Sequence, residues 1–120
     1  MHVRHAVVLA AFMAQGCGSS PAGPSSADAT IVIGASGVAP AEVRIKAWGH
    51  VMFVNQDIRP HTVASDPFEL HTDCPGINSV GYLGPGDSRE TGALNVARVC
   101  GFHDHSNEFD ATLRGRIIVE

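Results

Sequence analysis

Clustered positive charge is the first thing this 120-residue chain lacks. Eight Lys and Arg stand against twelve Asp and Glu, for a formal net charge of −4. Beyond Arg4 the cations are scattered singly, as Arg44, Lys46, Arg59, Arg89, Arg98, Arg114 and Arg116. Phosphate binding needs such groups clustered on one face, so nucleic acid is not an expected partner. No internal repeat and no convincing amphipathic helix occurs from Ala29 onward. The length leaves room for one domain and one core. Met-rich and His-rich tracts are missing, which argues against bulk metal storage. The longest early apolar run, Ala6 to Ala14, is too short to span a bilayer as a helix. Cys100, His61 and Asp104 make a Cys/His/Asp set, but no glycine-rich oxyanion hole or helix start lies beside the cysteine. Hydrolytic catalysis is a poor reading for that reason, and no small-molecule substrate is evident.

What is present begins with an address. Arg4, the apolar run and the small residues after it have the tripartite pattern of a secretory signal over residues 1–16. Ala14-Gln15-Gly16-Cys17 resembles the lipobox of bacterial lipoproteins, with Ala14 where Leu is usual and Gln15 bulkier than the typical small residue. The resemblance implies that Cys17 carries lipid and that the chain sits in the periplasm or at the cell surface, anchored to the membrane. Residues 17–28, rich in Gly, Ser and Pro, have the composition of a flexible tether. The folded domain is then expected over residues 29–120. An exported chain can oxidise its remaining cysteines, Cys74 and Cys100, to a disulfide.

Short apolar runs separated by Gly, Pro, Asn and Asp mark that domain as all-β. Strands are expected at Thr30 to Ile33, Glu42 to Lys46, Val51 to Val54, His61 to Ser65, Arg89 to Thr91, Leu94 to Phe102 and Gly115 to Glu120. Val51 to Val54 is continuously apolar and reads as buried on both sides. Asp66 to Gly81 reads as a long loop, functional or covalently restrained. Seven or eight strands with turns at this spacing make a Greek-key sandwich or barrel.

The run Pro40, Val43, Ile45, Gly49, Val51, Phe53, Asn55, Asp57, His61, Val63 is similar to the first half of plastocyanin-like cupredoxins. Pro85-Gly86-Asp87-Ser88, then Cys100-x-x-His103, then the closing run Leu113 to Val119 resemble the second half. The resemblance implies an exported, non-enzymatic, copper-binding protein that transfers one electron to a partner the sequence does not name. A copper carrier, or a metal-free interaction domain with a Cys74–Cys100 disulfide, are the alternatives.

Two imidazoles and a thiolate with a weak axial group suit copper that cycles between oxidation states. The expected ligands are His61 as the remote one and Cys100 with His103, His105 or both from one loop. Using both histidines would approach the red-copper cupredoxins. Leu113 stands where the family's axial Met is usual, and Asp104 is placed to orient a ligand imidazole or face water. His50 and His71 read as surface residues, although His71 lies three before Cys74. Cys74 is open between a disulfide with Cys100, a second sulfur ligand and a free thiol. The thiolate reading of Cys100 is preferred, because imidazole neighbours favour deprotonation and metal capture.

Mass spectrometry of the native membrane fraction tests the anchor. The expected species begins at a diacylated Cys17; a soluble mature form with an unmodified Cys17 would contradict it.

Overall fold

In a computed structural model of the protein, residues 27–120 are described. The expected signal segment, Cys17 and most of the expected tether lie outside them. Asp28, at the tether's end, is already tied to the domain: its backbone N–H donates to the His50 carbonyl and its carboxylate accepts from the His50 N–H.

Alternation of apolar and polar residues sets the strands, since successive side chains of a strand point to opposite faces. In chain order these are β1 Ala29–Gly34, β2 Gly37–Ala39, β3 Glu42–Ile45, β4 Val51–Asn55, β5 His61–Ser65, β6 Gly81–Leu83, β7 Ser88–Glu90, β8 Arg98–Asp104 and β9 Gly115–Val119. They form a four-stranded sheet in the order β2-β1-β4-β7 and a five-stranded sheet in the order β3-β9-β8-β5-β6. β1 runs parallel to β4 and β3 parallel to β9; the other pairs are antiparallel. The expected all-β sandwich is present, with β2 and β6 as strands beyond the seven expected.

The inner faces meet over Ile31, Ile33, Val51, Phe53, Val63, Leu83, Cys100, Phe102, Leu113, Ile117 and Val119. At its centre Phe53 of one sheet stands edge-on to Phe102 of the other, ring centroids 5.0 Å apart. Edge-to-face contact adds about 1 kcal/mol to the area each ring buries. β4 is not buried on both sides: Val51, Phe53 and Asn55 are buried while Met52 and Val54 are only partly covered. The outer face of a two-layer sandwich has no third layer over it.

Two expectations about β8 are corrected. The segment from Gly92 to Ala97 is not strand apart from a single bridge between Leu94 and Gly49, and the strand runs two residues further, to Asp104. Cys100 therefore sits in mid-strand with its side chain in the core, and not at the mouth of a loop. There it forms a disulfide with Cys74, Cα atoms 5.7 Å apart, so the preferred thiolate reading of Cys100 does not hold in this structure. The bridge anchors the 66–80 segment, including the 3-10 turn Pro75–Ser79, to the centre of the five-stranded sheet.

Closing a loop across a sequence separation of 26 residues is worth about 3 kcal/mol of unfolded-state entropy. The Cys74→Ser, Cys100→Ser double variant should lose about that much in urea unfolding. Alkylation of the unreduced, denatured protein should label neither position; two labelled thiols would contradict the bridge.

Candidate metal centre

Register decides which side chains of β5 and β8 can meet. Val63 pairs with Asp104, Ala64 with His103 and Ser65 with Phe102. Cys100, Phe102 and Asp104 share the inner face of β8, while His103, three residues from Cys100, lies on the outer face. An odd separation within one strand puts two side chains on opposite sides of the sheet. Cys100 and His103 cannot reach one metal, and the expected set of His61, Cys100, His103 and His105 is not assembled here.

His61 belongs to the inner group. It is fully buried, its Nδ1 is 2.6 Å from Asp104 Oδ2 and its Nε2 is 2.8 Å from Asp57 Oδ2. Both ring nitrogens of His61 are turned to carboxylates inside the core, so neither faces the outer histidines. Asp57 is held by Asn55, whose Oδ1 accepts from the Asp57 N–H and whose amide donates to the carbonyls of Arg59, Leu83 and Gly84. The hydrogen bond with His61, aided by Arg59 and the Ile58 N–H against the cost of burial, lowers the Asp57 pKa to about 2. Burial opposes ionisation of Asp104 too. The His61 ring, the Asn107 amide and the N–H groups of Thr62 and Ser106 outweigh it and lower its pKa. Asp104 thus caps the turn His105–Asn107, which aims His105.

On the outer face His103 and His105, two apart, point the same way, and His71 joins them from the 66–80 segment. One ring nitrogen from each lies within 4.8 Å of the others. His103 is buried, 3% exposed, although its strand face is the outer one, because the 66–71 loop folds over it. His103 Nδ1 donates to Asp66 Oδ1 at 2.7 Å, and His71 Nδ1 donates to the Ser65 carbonyl at 3.0 Å. A neutral imidazole carries one proton, so both rings present Nε2 as a lone pair. His103 Nε2 has no hydrogen-bond partner among the described residues, which is uncommon for a buried polar atom and leaves it free to ligate a metal ion.

The loop that brings His71 is held in an unusual backbone. Glu69 and His71 have φ of 81° and 55°, in the left-handed region that non-glycine residues seldom enter. Such conformations persist where the surroundings over-determine them. Here the His71 N–H donates to the Pro67 carbonyl, Asn78 donates to the His71 carbonyl, and the Cys74 N–H donates to Ser65 Oγ. Phe68, from the same loop, packs near the rings of His103 and His105, centroids 5.5 and 5.3 Å away. The expectation that His71 is a surface residue does not hold: three residues from Cys74, which the disulfide ties to β8, it is brought to the sheet beside His103 and His105. His50 instead places Nδ1 2.8 Å from the Thr91 carbonyl. Leu113 is buried in the apolar core.

The chain has the cupredoxin fold. Similar solved structures are amicyanin from Paracoccus versutus (TM-score 0.63, 23% identity, 81% of this chain and 84% of that one) and a purple cupredoxin from Nitrosopumilus maritimus (0.57, 21%, 78% and 100%). Plastocyanin from Dryopteris crassirhizoma is a third (0.57, 16%, 76% and 99%). No protein-family model matches the chain, and no curated protein matches it in sequence.

Asp57 ionises more easily folded than unfolded, so the unfolded chain binds the extra proton. Its stabilising share is complete above the ordinary value of 3.8 and is lost as the pH falls toward about 2. Asp57→Asn should flatten the fall in unfolding free energy between pH 5 and pH 2. An unaltered pH profile would show that Asp57 has the same pKa folded and unfolded and would contradict the lowered value.

Proposed function

We propose that this is an exported, membrane-anchored, non-enzymatic protein that binds one copper ion through His71, His103 and His105. The observation that carries the reading is the unpartnered, buried Nε2 of His103 beside two further imidazoles. Two of the three rings are already locked in the ligating tautomer by hydrogen bonds on their far side. Imidazole sets suit copper, zinc and nickel, and copper heads these in affinity by the Irving–Williams order. The cupredoxin fold and the similarity of the sequence to plastocyanin-like proteins favour copper among them.

The donor set differs from the Cys/His one inferred from sequence, and that changes the role. With its thiol taken by Cys74, Cys100 supplies no thiolate. Copper held by three neutral imidazoles at a partly exposed site suits acquisition and hand-over more than one-electron transfer through a buried thiolate centre. A second reading, a metal-free interaction domain, is favoured by the disulfide itself, which supplies stability without a metal.

Calorimetric titration with Cu(II) separates the two. One ion per chain is expected, without the intense visible band that a thiolate ligand gives. His71→Ala, His103→Ala and His105→Ala should each cost at least about a hundredfold in affinity, more than loss of an outer partner does. His61→Ala should leave affinity nearly unchanged while lowering stability. A wild type that takes up no copper would reject the metal reading and leave the interaction domain.

A further inference from the structure

The metal reading leaves one carboxylate unexplained. Asp66 is part-exposed, yet its side chain has a single hydrogen bond among those the described residues show, to Nδ1 of His103. Its backbone is held independently: the Asp66 N–H donates to the Gly101 carbonyl, and its carbonyl accepts from the Asp73 N–H and from Ser65 Oγ. The carboxylate also lies flat against β8 at Gly101, where a Cβ would collide with it. Gly101 is two residues before His103 on the same outer face of the strand. The missing side chain there makes the space through which the Asp66 carboxylate reaches the ring.

We infer that Asp66 is a positioning residue for the three-histidine site: it fixes the His103 tautomer and supplies the negative charge that the three neutral ligands lack. This rests on the metal reading above for its consequence, but its first half concerns the protein without metal. A neutral imidazole with no partner at Nδ1 exchanges freely between two tautomers, and only the one protonated at Nδ1 offers Nε2 to an ion. A carboxylate at 2.7 Å selects that tautomer and orients the ring. It also raises the basicity of the opposite nitrogen, and removal of such a partner commonly costs 10- to 100-fold in metal affinity. His71 is served by the Ser65 carbonyl, an uncharged acceptor. Of these two ligands, His103 is the one whose ring is hydrogen-bonded to a carboxylate.

The test uses the full-length protein and Asp66→Ala, Asp66→Asn and Asp66→Glu variants. Nitrogen-15 NMR of the histidines at pH 8, without metal, should show His103 protonated at Nδ1 in the wild type. Asp66→Ala should shift it toward a mixture with the Nε2-protonated form while the other histidines stay unchanged. Cu(II) affinity should fall about 10- to 100-fold in Asp66→Ala, less in Asp66→Asn, whose amide oxygen still accepts, and least in Asp66→Glu. An unchanged thermal unfolding curve without metal would separate this from a merely structural role. A wild-type His103 protonated at Nε2 would overturn the inference, as would an Asp66→Ala protein that binds copper as tightly as the wild type. Should the wild type bind no copper, the proposed function fails, while the tautomer measurement still confirms or rejects the role of Asp66 on His103.

Discussion

The period of two along β8 is the constraint on which the rest of the structure depends. It sends Cys100, Phe102 and Asp104 into the sandwich and turns Gly101 and His103 outward. Each residue then takes the role its face permits. Inside, Cys100 bridges to Cys74, Phe102 meets Phe53 and Asp104 meets His61. Outside, Gly101 leaves room for Asp66 and His103 stands ready under the folded-over loop. A shift of one residue in register would exchange every one of these pairings.

The two faces cooperate although they hold different chemistry. Asp104 links them, because the carboxylate that engages the buried His61 also accepts from the N–H groups of Thr62 and Ser106 and so orders the turn carrying His105. The disulfide is a second link. It pulls the middle of the 66–80 segment against the sheet, leaving Phe68 and His71 on the outer surface near His103 and His105. The buried Asp57–His61–Asp104 group acts as a polar clamp between β5 and the loops at its end, with every titratable atom engaged by a neighbour. Removing one partner of such a clamp leaves a charge without its counterpart and destabilises the fold.

Most of the fold was legible because it rests on alternation and turn chemistry, both local. His61 to Ser65 is a strand with the expected bounds, and Gly115–Val119 closes the second sheet as the resemblance to cupredoxins implies. β2 and β6, three residues each, carry too few side chains for a period to show. The metal centre was less legible. His-x-His was visible as a pair, and its spacing of two is what puts both rings on one side. The end of β8 was not visible, because His103 and Asp104 are polar yet continue the strand: pairing with Ala64 and Val63 holds them there. Reading the strand as finished by Phe102 made Cys100 and His103 partners, when two more residues of strand separate their faces. His71 comes from a loop whose path depends on a distant cysteine and on left-handed backbone at Glu69 and His71, and neither has a local sequence signature.

Anomalous diffraction at the copper edge from crystals of the copper-loaded, unreduced protein tests the account most directly. A single peak bonded to imidazole nitrogens of His71, His103 and His105, with the Cys74–Cys100 bridge intact, is the predicted result. A peak bonded to His61 and the Cys100 sulfur, on the inner side of the sheet, would contradict it.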